Sequence, residues 1–418
     1  MICRLENPER SISERPSRRA FLQGAGSLLA VAADWPRPKN ARPPAPFFKI
    51  DRVSQHVYAA IAQTTPVVNG NSAVIVTKQA LVIVDSQSSP SAAHSLCEQF
   101  KREVADLPVR YVINTHHHLD HAHGNAAYLE MFGPQVDIVS TSFARAALKQ
   151  AARWFVGFIQ RRPVPSSQLQ EVPNQERYYA FVENYIGGLR EGLPDLEARI
   201  LQLAGDERAV VQSRLESLRS YFSEMSAFVA ALPNITFDQN LVLHCGDVVI
   251  EVRHFGRGHT EGDAVVFVPE DQVVVTGDLV QGLEPLLFEA FPDEWPATLR
   301  RLAEVDFEFL VPGHGPVQQG RTIFTLFKDY LTELNELVLQ GISAGKNLSA
   351  LQAELIPMRF RSLRNEDFGQ TLQRNREKLL GLPAGQPLEP VVSYGVEQVY
   401  FYYQKKRRSG PASESWHR

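Results

Sequence analysis

The segment Thr115-His116-His117-His118-Leu119-Asp120-His121 contains the pattern His-x-His-x-Asp-His, four potential metal ligands within six positions. It follows Val109–Asn114, a short apolar run with a polar end that reads as a strand. Three imidazoles and a carboxylate crowded into one loop need a partner charge to hold them, and a metal cation is the partner that this spacing admits. In an extended loop alternate side chains project to opposite sides, so His117, on an x position, is expected to point away from the others.

Three single residues have related settings. His259 lies in Gly256-Arg257-Gly258-His259-Thr260-Glu261-Gly262-Asp263 after the Val248–Val252 run. Asp278 follows Thr276-Gly277 after Val273–Val275, and His314 lies in Pro312-Gly313-His314-Gly315-Pro316 after Phe309–Val311. Each is expected at a strand end, where glycines permit the tight turns that let a side chain project.

The rest of the chain reads as two β-rich stretches. In the first, Val53, Val57 and Tyr58 precede strands over Ser72–Thr77 and Ala80–Asp85, and a helix over Ser91–Val104 begins near Ser89-Pro90. The second runs from Ile235 to Val280 and includes Val248–Val252, Ala264–Val268 and Val273–Thr276. Two such halves with interspersed helices predict packed sheets flanked by helices, not a helical bundle.

Between them, a helix is expected over Ser142–Gln160, a shorter one over Leu196–Leu203, and a long one beyond Gly205-Asp206. The long helix would carry Val211, Leu215, Leu218, Phe222, Met225, Val229 and Leu232 on one packing stripe. After Gly320, Ile323, Phe327, Tyr330, Leu334 and Leu337 mark another helical face, and helix broken by prolines continues to about Tyr403.

These motifs resemble the metallo-β-lactamase superfamily over residues 47–140 and 235–320. The resemblance implies an α+β fold, a four-layer αββα sandwich with a metal site at one edge of its two sheets. By motif, His116, His118 and His259 look like the ligands of one metal. Asp120, His121 and His314 look like those of a second, and Asp278 resembles the carboxylate that bridges both. Asp85, ending a Val-Ile-Val-Asp strand, resembles the family's buried aspartate that orients the metal loop; a turn-capping aspartate fits the same place.

Mixed imidazole and carboxylate ligands suit two zinc ions, with iron or manganese also accommodated. Two metals about 3.5–4 Å apart can share a water and lower its pKa towards ~7, giving a hydroxide nucleophile that Asp120, the catalytic candidate, would orient. A bridging aspartate departs from true β-lactamases, which carry cysteine or serine at that place, and is typical of thioesterases, lactonases and phosphodiesterases of the family. The expectation is therefore a hydrolase of a small ester, thioester, lactone or amide.

β-Lactamase activity proper is an alternative. A mononuclear-iron persulfide dioxygenase would use only part of the ligand set, and a non-catalytic periplasmic partner would not need intact ligands. Leu283, Leu286, Leu287, Phe288, Phe291 and Trp295, close to Asp278, are candidates for a substrate wall or for core.

The chain has 418 residues, more than the ~250–300 that one core usually organises. The expected division is an export signal at 1–33, a Pro-rich linker at 34–46, the metal-binding domain at 47–320 with a helical insertion at 141–235, a helical C-terminal extension at 321–404 and a tail at 405–418. Ser17-Arg18-Arg19-Ala20-Phe21-Leu22 resembles a twin-arginine signal, with Gln23 where lysine is frequent, and Ala30-Val31-Ala32 offers a cleavage site. The apolar stretch Ala20–Ala33 is shorter than the ~20 residues of a membrane span, so periplasmic or secreted localisation is expected, with no transmembrane segment after removal of the signal.

A net charge of −4 and pI near 6.3 give no basic footprint for nucleic acid, and Lys405–Arg408 reads as a solvated tail. Three cysteines exclude a disulfide scaffold; Cys97 and Cys245 are compatible with one bridge or with two thiols.

Overall fold

The computed structural model of the chain describes residues 4–6, 47–63, 67–162, 164, 175–380 and 384–409. A short strand, β1 (Arg4–Glu6), stands apart in sequence from a seven-stranded sheet made of β2 (Phe48–Arg52), β3 (Val57–Ala62), β4 (Ser72–Val76), β5 (Leu81–Val84), β6 (Val109–Ile113), β7 (Asp137–Thr141) and β8 (Ile235–Phe237), in that order. β2 to β5 pair antiparallel, whereas β5 to β8 run parallel.

The second sheet has the order β1, β9 (Asn240–Cys245), β10 (Val248–Arg253), β11 (Val265–Val268), β12 (Val273–Gly277), β13 (Phe309–Pro312) and β14 (Gln318–Gln319). Among the described residues its only parallel pair is β12 with β13. Apart from residues 4–6, the expected export signal, its linker and Cys3 lie outside the described residues.

The sheets face each other across one apolar layer. β10 alternates, with Val248, Ile250 and Val252 buried and the residues between them partly exposed, as a strand with one inward face must. Those side chains meet Val57, Ile75, Val82, Val84, Ile113 and Val139 of the first sheet. β5 is buried on both faces, because its other side packs under α1 (Pro90–Glu103). Ser89 caps α1: its side chain accepts from the backbone N–H of Ala92, and Pro90 at the first helical position fits the missing donor there.

Two short helices, α2 (Leu119–Ala122) and α3 (Asn125–Phe132), carry the chain out of the metal-motif loop. The interval after β7 is helical: α4 (Ser142–Ile159), α6 (Leu193–Ile200) and α7 (Gly205–Ser226) fall near the expected places, and α5 (Gln175–Glu191) is a helix that the sequence reading did not assign. The packing stripe of α7 differs from the expected one. Leu215, Leu218, Tyr221 and Met225 are buried, but the helix stops at Ser226, so Val229 is exposed and Phe228 takes the inward place.

After α8 (Trp295–Leu302), the second sheet's outer face is covered by α9 (Thr322–Ser343), α10 (Leu348–Glu354), α11 (Glu366–Leu380) and α12 (Glu389–Ser409). On α9 the buried side chains are Phe324, Phe327, Tyr330, Leu331, Leu334 and Val338, a face rotated slightly from the expected one. Lys405–Arg408 are exposed and extend α12, and Lys405 and Lys406 reach Glu176 and Asp293. Cys97 is partly buried and Cys245 is buried, and neither forms a disulfide.

Because β5 and β6 are parallel, as are β12 and β13, the C-terminal ends of four strands open on one edge of the sandwich, the usual place for a ligand site in parallel sheets. Asn71 ties the sheets together there: its N–H donates to Gly313 O at 2.7 Å and its Nδ2 donates to Pro312 O at 2.9 Å.

Candidate metal centre

Every site residue read from the sequence lies at this edge. The loop after β6 brings His116, His118, Asp120 and His121. Asp278 follows β12, His314 follows β13, Asp85 follows β5, and His259 comes from the loop between β10 and β11. His116, His118, His259 and Asp278 converge with ligand atoms within 4.8 Å of one another, as do Asp120, His121 and His314. Asp278 faces both groups: Oδ2 lies 3.5 Å from His259 Nε2, and Oδ1 lies 3.3 Å from both His121 Nε2 and His314 Nε2. His314 Nε2 is also 3.3 Å from Asp120 Oδ2, and His121 Nε2 is 3.5 Å from it.

The hydrogen-bond network fixes which nitrogen of each imidazole faces inward. His259 Nδ1 donates to Leu286 O at 3.0 Å and His314 Nδ1 to Asn69 O at 2.9 Å. His121 Nδ1 donates to Asp85 Oδ2 at 2.8 Å. Thr115 Oγ1 donates to Asp85 Oδ2 at 2.8 Å, so its lone pair accepts from His116 Nδ1 at 3.1 Å. His118 is turned the other way: Nε2 contacts Glu289 Oε2 at 2.8 Å, which leaves Nδ1 facing His259 Nε2 at 3.0 Å.

Five imidazoles therefore turn the ring nitrogen left free by these bonds towards one another and towards the carboxylates of Asp120 and Asp278. Two acceptor nitrogens 3.0 Å apart repel unless a cation lies between them. His116 Nε2, His121 Nε2 and Asp278 Oδ1 are buried and meet no hydrogen-bond partner, which is the expected condition of metal-ligating atoms. This donor set fits divalent cations.

The electrostatics point the same way. Burial, and then the neighbouring imidazoles of His121 and His118, push His116 well down; burial pushes His259 down to about 3. Burial also opposes charge on Asp278 and Asp120, but the imidazoles of His121 and His314 outweigh it and hold both carboxyls low. His121 is raised because Asp120, Asp278 and Asp85 together overcome its burial. The neutral His116 and His259 and the ionised carboxylates are in the states a metal requires, whereas His121 and His314, raised by those same carboxylates, would release a proton to it.

Asp85 is placed by an unusual backbone. It has φ +65°, in the left-handed region that aspartate tolerates better than most residues. Its Oδ1 accepts the Thr115 N–H at 2.7 Å while Oδ2 accepts from His121, so the carboxylate braces the metal-motif loop from behind. Two glycines are required by close approach. A Cβ on Gly313 would lie 2.0 Å from Asp278 Oδ1, and Gly277, with φ +49°, would place one 2.2 Å from Thr115 Oγ1.

The family model of the metallo-β-lactamase superfamily matches residues 65–314, more than half of the chain, and spans all of these side chains. The chain belongs to the metallo-β-lactamase superfamily. Among curated relatives, a metallo-β-lactamase type 2 of Bacillus sp. (strain 170) is 26% identical over 123 residues, covering 28% of this chain and 47% of that one. The chain spans about half the length of the curated relatives it matches.

Among solved structures, a metallo-β-lactamase from Pontibacter korlensis has TM-score 0.45 and 18% identity, covering 68% of this chain and 99% of that chain. The sec-alkylsulfatase Pisa1 from Pseudomonas sp. has TM-score 0.53 and 16% identity, covering 88% of this chain and 52% of that chain. At that identity the likeness to Pisa1 is one of fold.

Gln281, Tyr178 and Phe181 belong to this superfamily member's centre and were not singled out from sequence, whereas Phe288 was. Gln281 Nε2 donates to Asp278 Oδ2 at 2.7 Å. Tyr178 of α5 stacks on His118 with ring centroids 4.3 Å apart, and its hydroxyl accepts the Leu119 N–H at 3.1 Å. Phe288 lies 5.4 Å from His118 and 5.9 Å from His259 between ring centroids, and Phe181 stacks on Phe288 at 4.3 Å.

Of the expected wall residues, Leu286 and Phe288 pack with the helices after β7, whereas Leu287 and Trp295 belong to the core under α9. Glu289 is 2% exposed and lies within 3.3 Å of His117 Nε2 as well as His118. A charge inside Leu286-Leu287-Phe288-Glu289-Ala290-Phe291 was the available signal, since a buried carboxylate needs partners. His117 joins neither group of candidate ligands; the loop turns into α2 at this point, and the side chain is buried against Glu289.

Proposed function

We propose that the chain is a hydrolase of an ester, thioester, lactone or amide that works with two divalent metal ions. One would be held by His116, His118 and His259, the other by Asp120, His121 and His314, and Asp278 would join them. The observation that carries this reading is the division of Asp278, one oxygen towards each group of histidines. Zinc suits the mixed imidazole and carboxylate donors, with iron or manganese as the other candidates.

Metal ions bound there supply Lewis acidity and lower the pKa of a shared water towards ~7. Asp120 is the ligand side chain most open to solvent, 14% exposed against 5% or less for the imidazoles and Asp278. It is therefore the side chain placed to orient the attacking water, while Asp278, steadied by Gln281, keeps its place between the two histidine groups.

Tyr178 and Phe288 form an apolar wall beside His118 and His259, which keeps bulk water off that side and favours a substrate with an apolar or aryl group near the scissile bond. The aspartate at position 278 favours carbonyl esters over β-lactams as the main substrates, although the matched relatives are named as β-lactamases. Export of the folded chain, directed by Ser17–Leu22, is part of this reading; loss of periplasmic accumulation on replacing Arg18 and Arg19 with lysine would support it, and unchanged accumulation would remove it.

The test of the reaction class is a panel of thioester, lactone, simple ester, β-lactam, phosphodiester and secondary alkyl sulfate substrates offered to the metal-loaded protein. Turnover concentrated in the first three supports the proposal. Turnover confined to the sulfate or the phosphodiester overturns it.

A further inference from the structure

His118 differs from the other four imidazoles. His116, His121, His259 and His314 present Nε2 to the cluster, but His118 presents Nδ1, so its Nε2 points away from the site into the protein. What stands there is Glu289, at 2.8 Å, from the segment between β12 and α8. The same Oε2 oxygen lies 3.3 Å from His117 Nε2. All three side chains are buried.

We infer that Glu289 is a positioning residue that sets His118 in the Nε2–H tautomer and strengthens its Nδ1 as a metal donor, with His117 as the second clamp on the carboxylate. This rests on the metal-dependent reading above.

The physical argument is one of alternatives. A neutral imidazole carries one ring proton, and in His118 it sits on either nitrogen. A proton on Nδ1 would point at His259 and block a cation; a proton on Nε2 leaves Nδ1 open. A buried carboxylate on the Nε2 side selects the second arrangement, because without that proton an anion and an imidazole lone pair would face each other 2.8 Å apart. The charge also pulls the Nε2 proton outward and makes Nδ1 more basic, as carboxylate partners of metal-bound histidines do.

His117, a residue that the motif spacing leaves without a ligand role, packs against the same carboxylate with Nε2 3.3 Å from Oε2.

A third cation among His117, His118 and Glu289 would also use these atoms, whose mutual distances are within reach of one ion. It would require His118 to give up both ring protons and bridge two metals as an imidazolate. A hydrogen-bonded neutral imidazole needs no such loss, and the 2.8 Å separation is that of a charge-assisted hydrogen bond.

The test is zinc affinity of the full chain, measured by chelator competition, together with the stoichiometry at saturation and the visible spectrum of the cobalt-loaded protein. Glu289→Gln keeps the volume and removes the charge. We expect two metals at saturation, a 10-fold to 100-fold weaker affinity for one of them, and an altered cobalt spectrum. His117→Gln should weaken the same metal less, and the two changes should be non-additive, because the second acts through the first.

If Glu289→Gln fails to fold, His117→Gln read against wild type for the same affinity and spectrum decides the matter. Unchanged affinity and spectrum in a folded Glu289→Gln protein overturn the inference, as does a wild type that binds three metals where the variant binds two. A wild type that takes up no metal overturns the metal-dependent reading itself.

Discussion

The carboxylate of Asp85 accepts the Nδ1 proton of His121 at 2.8 Å, and this one contact connects the end of β5 to the group formed by Asp120, His121 and His314. Without an acceptor behind it, the His121 ring is not held with Nε2 towards Asp278. Asp85→Asn keeps the shape but offers an amide that can turn a donor to His121. The expected outcome is a roughly 10-fold to 100-fold loss of affinity for one metal with the other retained, checked by chelator competition. Equal loss of both metals would show that Asp85 supports the loop as a whole.

Gly313→Ala tests the close approach beside Asp278. The added Cβ would fall 2.0 Å from Oδ1 and 2.7 Å from the Gly277 carbonyl carbon, so the carboxylate or the strand end must move. Overpacking of this kind costs about 1–3 kcal/mol. Melting temperature should fall and hydrolytic activity should fall with it; a variant with native stability and native activity would show that the edge accommodates a methyl group.

Phe181 is 37% exposed and stacks on Phe288, which contacts the rings of His118 and His259. Phe181→Ala should raise KM several-fold for esters with an aryl or long apolar group and leave KM for short acetyl esters and kcat nearly unchanged, the signature of lost ground-state binding. Equal KM changes for both classes would remove the apolar wall from substrate recognition.

His123 is buried between Phe155 and Phe228, and burial pushes its pKa down to about 3. In the unfolded chain an imidazole titrates near ~6.5. Between these values the unfolded state binds the extra proton, so stability falls as pH drops below about 6.5, by on the order of 2 kcal/mol at pH 5. His123→Phe should flatten the dependence of melting temperature on pH between 7.5 and 5. An unchanged slope would assign the acid sensitivity to other groups.

Strand ends and metal-motif geometry were legible in the sequence because each rests on local rules. The runs Ser72–Thr77, Val109–Asn114 and Val273–Thr276 predict strands that the structure ends within one residue of those bounds. His116, His118, Asp120, His121, His259, Asp278 and His314 converge because the parallel pairs β5/β6 and β12/β13 open on one edge.

What escaped depends on tertiary contact. Glu289 and Tyr178 lie far from the motif in sequence and reach His118 only after α5 and the segment before α8 have folded over it. The burial of His117 against Glu289 was not legible because alternation speaks only for extended chain, whereas the loop turns into α2. The stripe on α7 was drawn past Ser226 because side-chain period alone does not mark where a helix stops.

Elemental analysis of the full chain purified without added chelator tests the central claim most directly. The account predicts about two divalent metal ions per chain, zinc first among the candidates, and their loss together with hydrolytic activity in His118→Ala. A protein that carries a single iron and consumes oxygen, or a His118→Ala variant that keeps its metal and its activity, would contradict it.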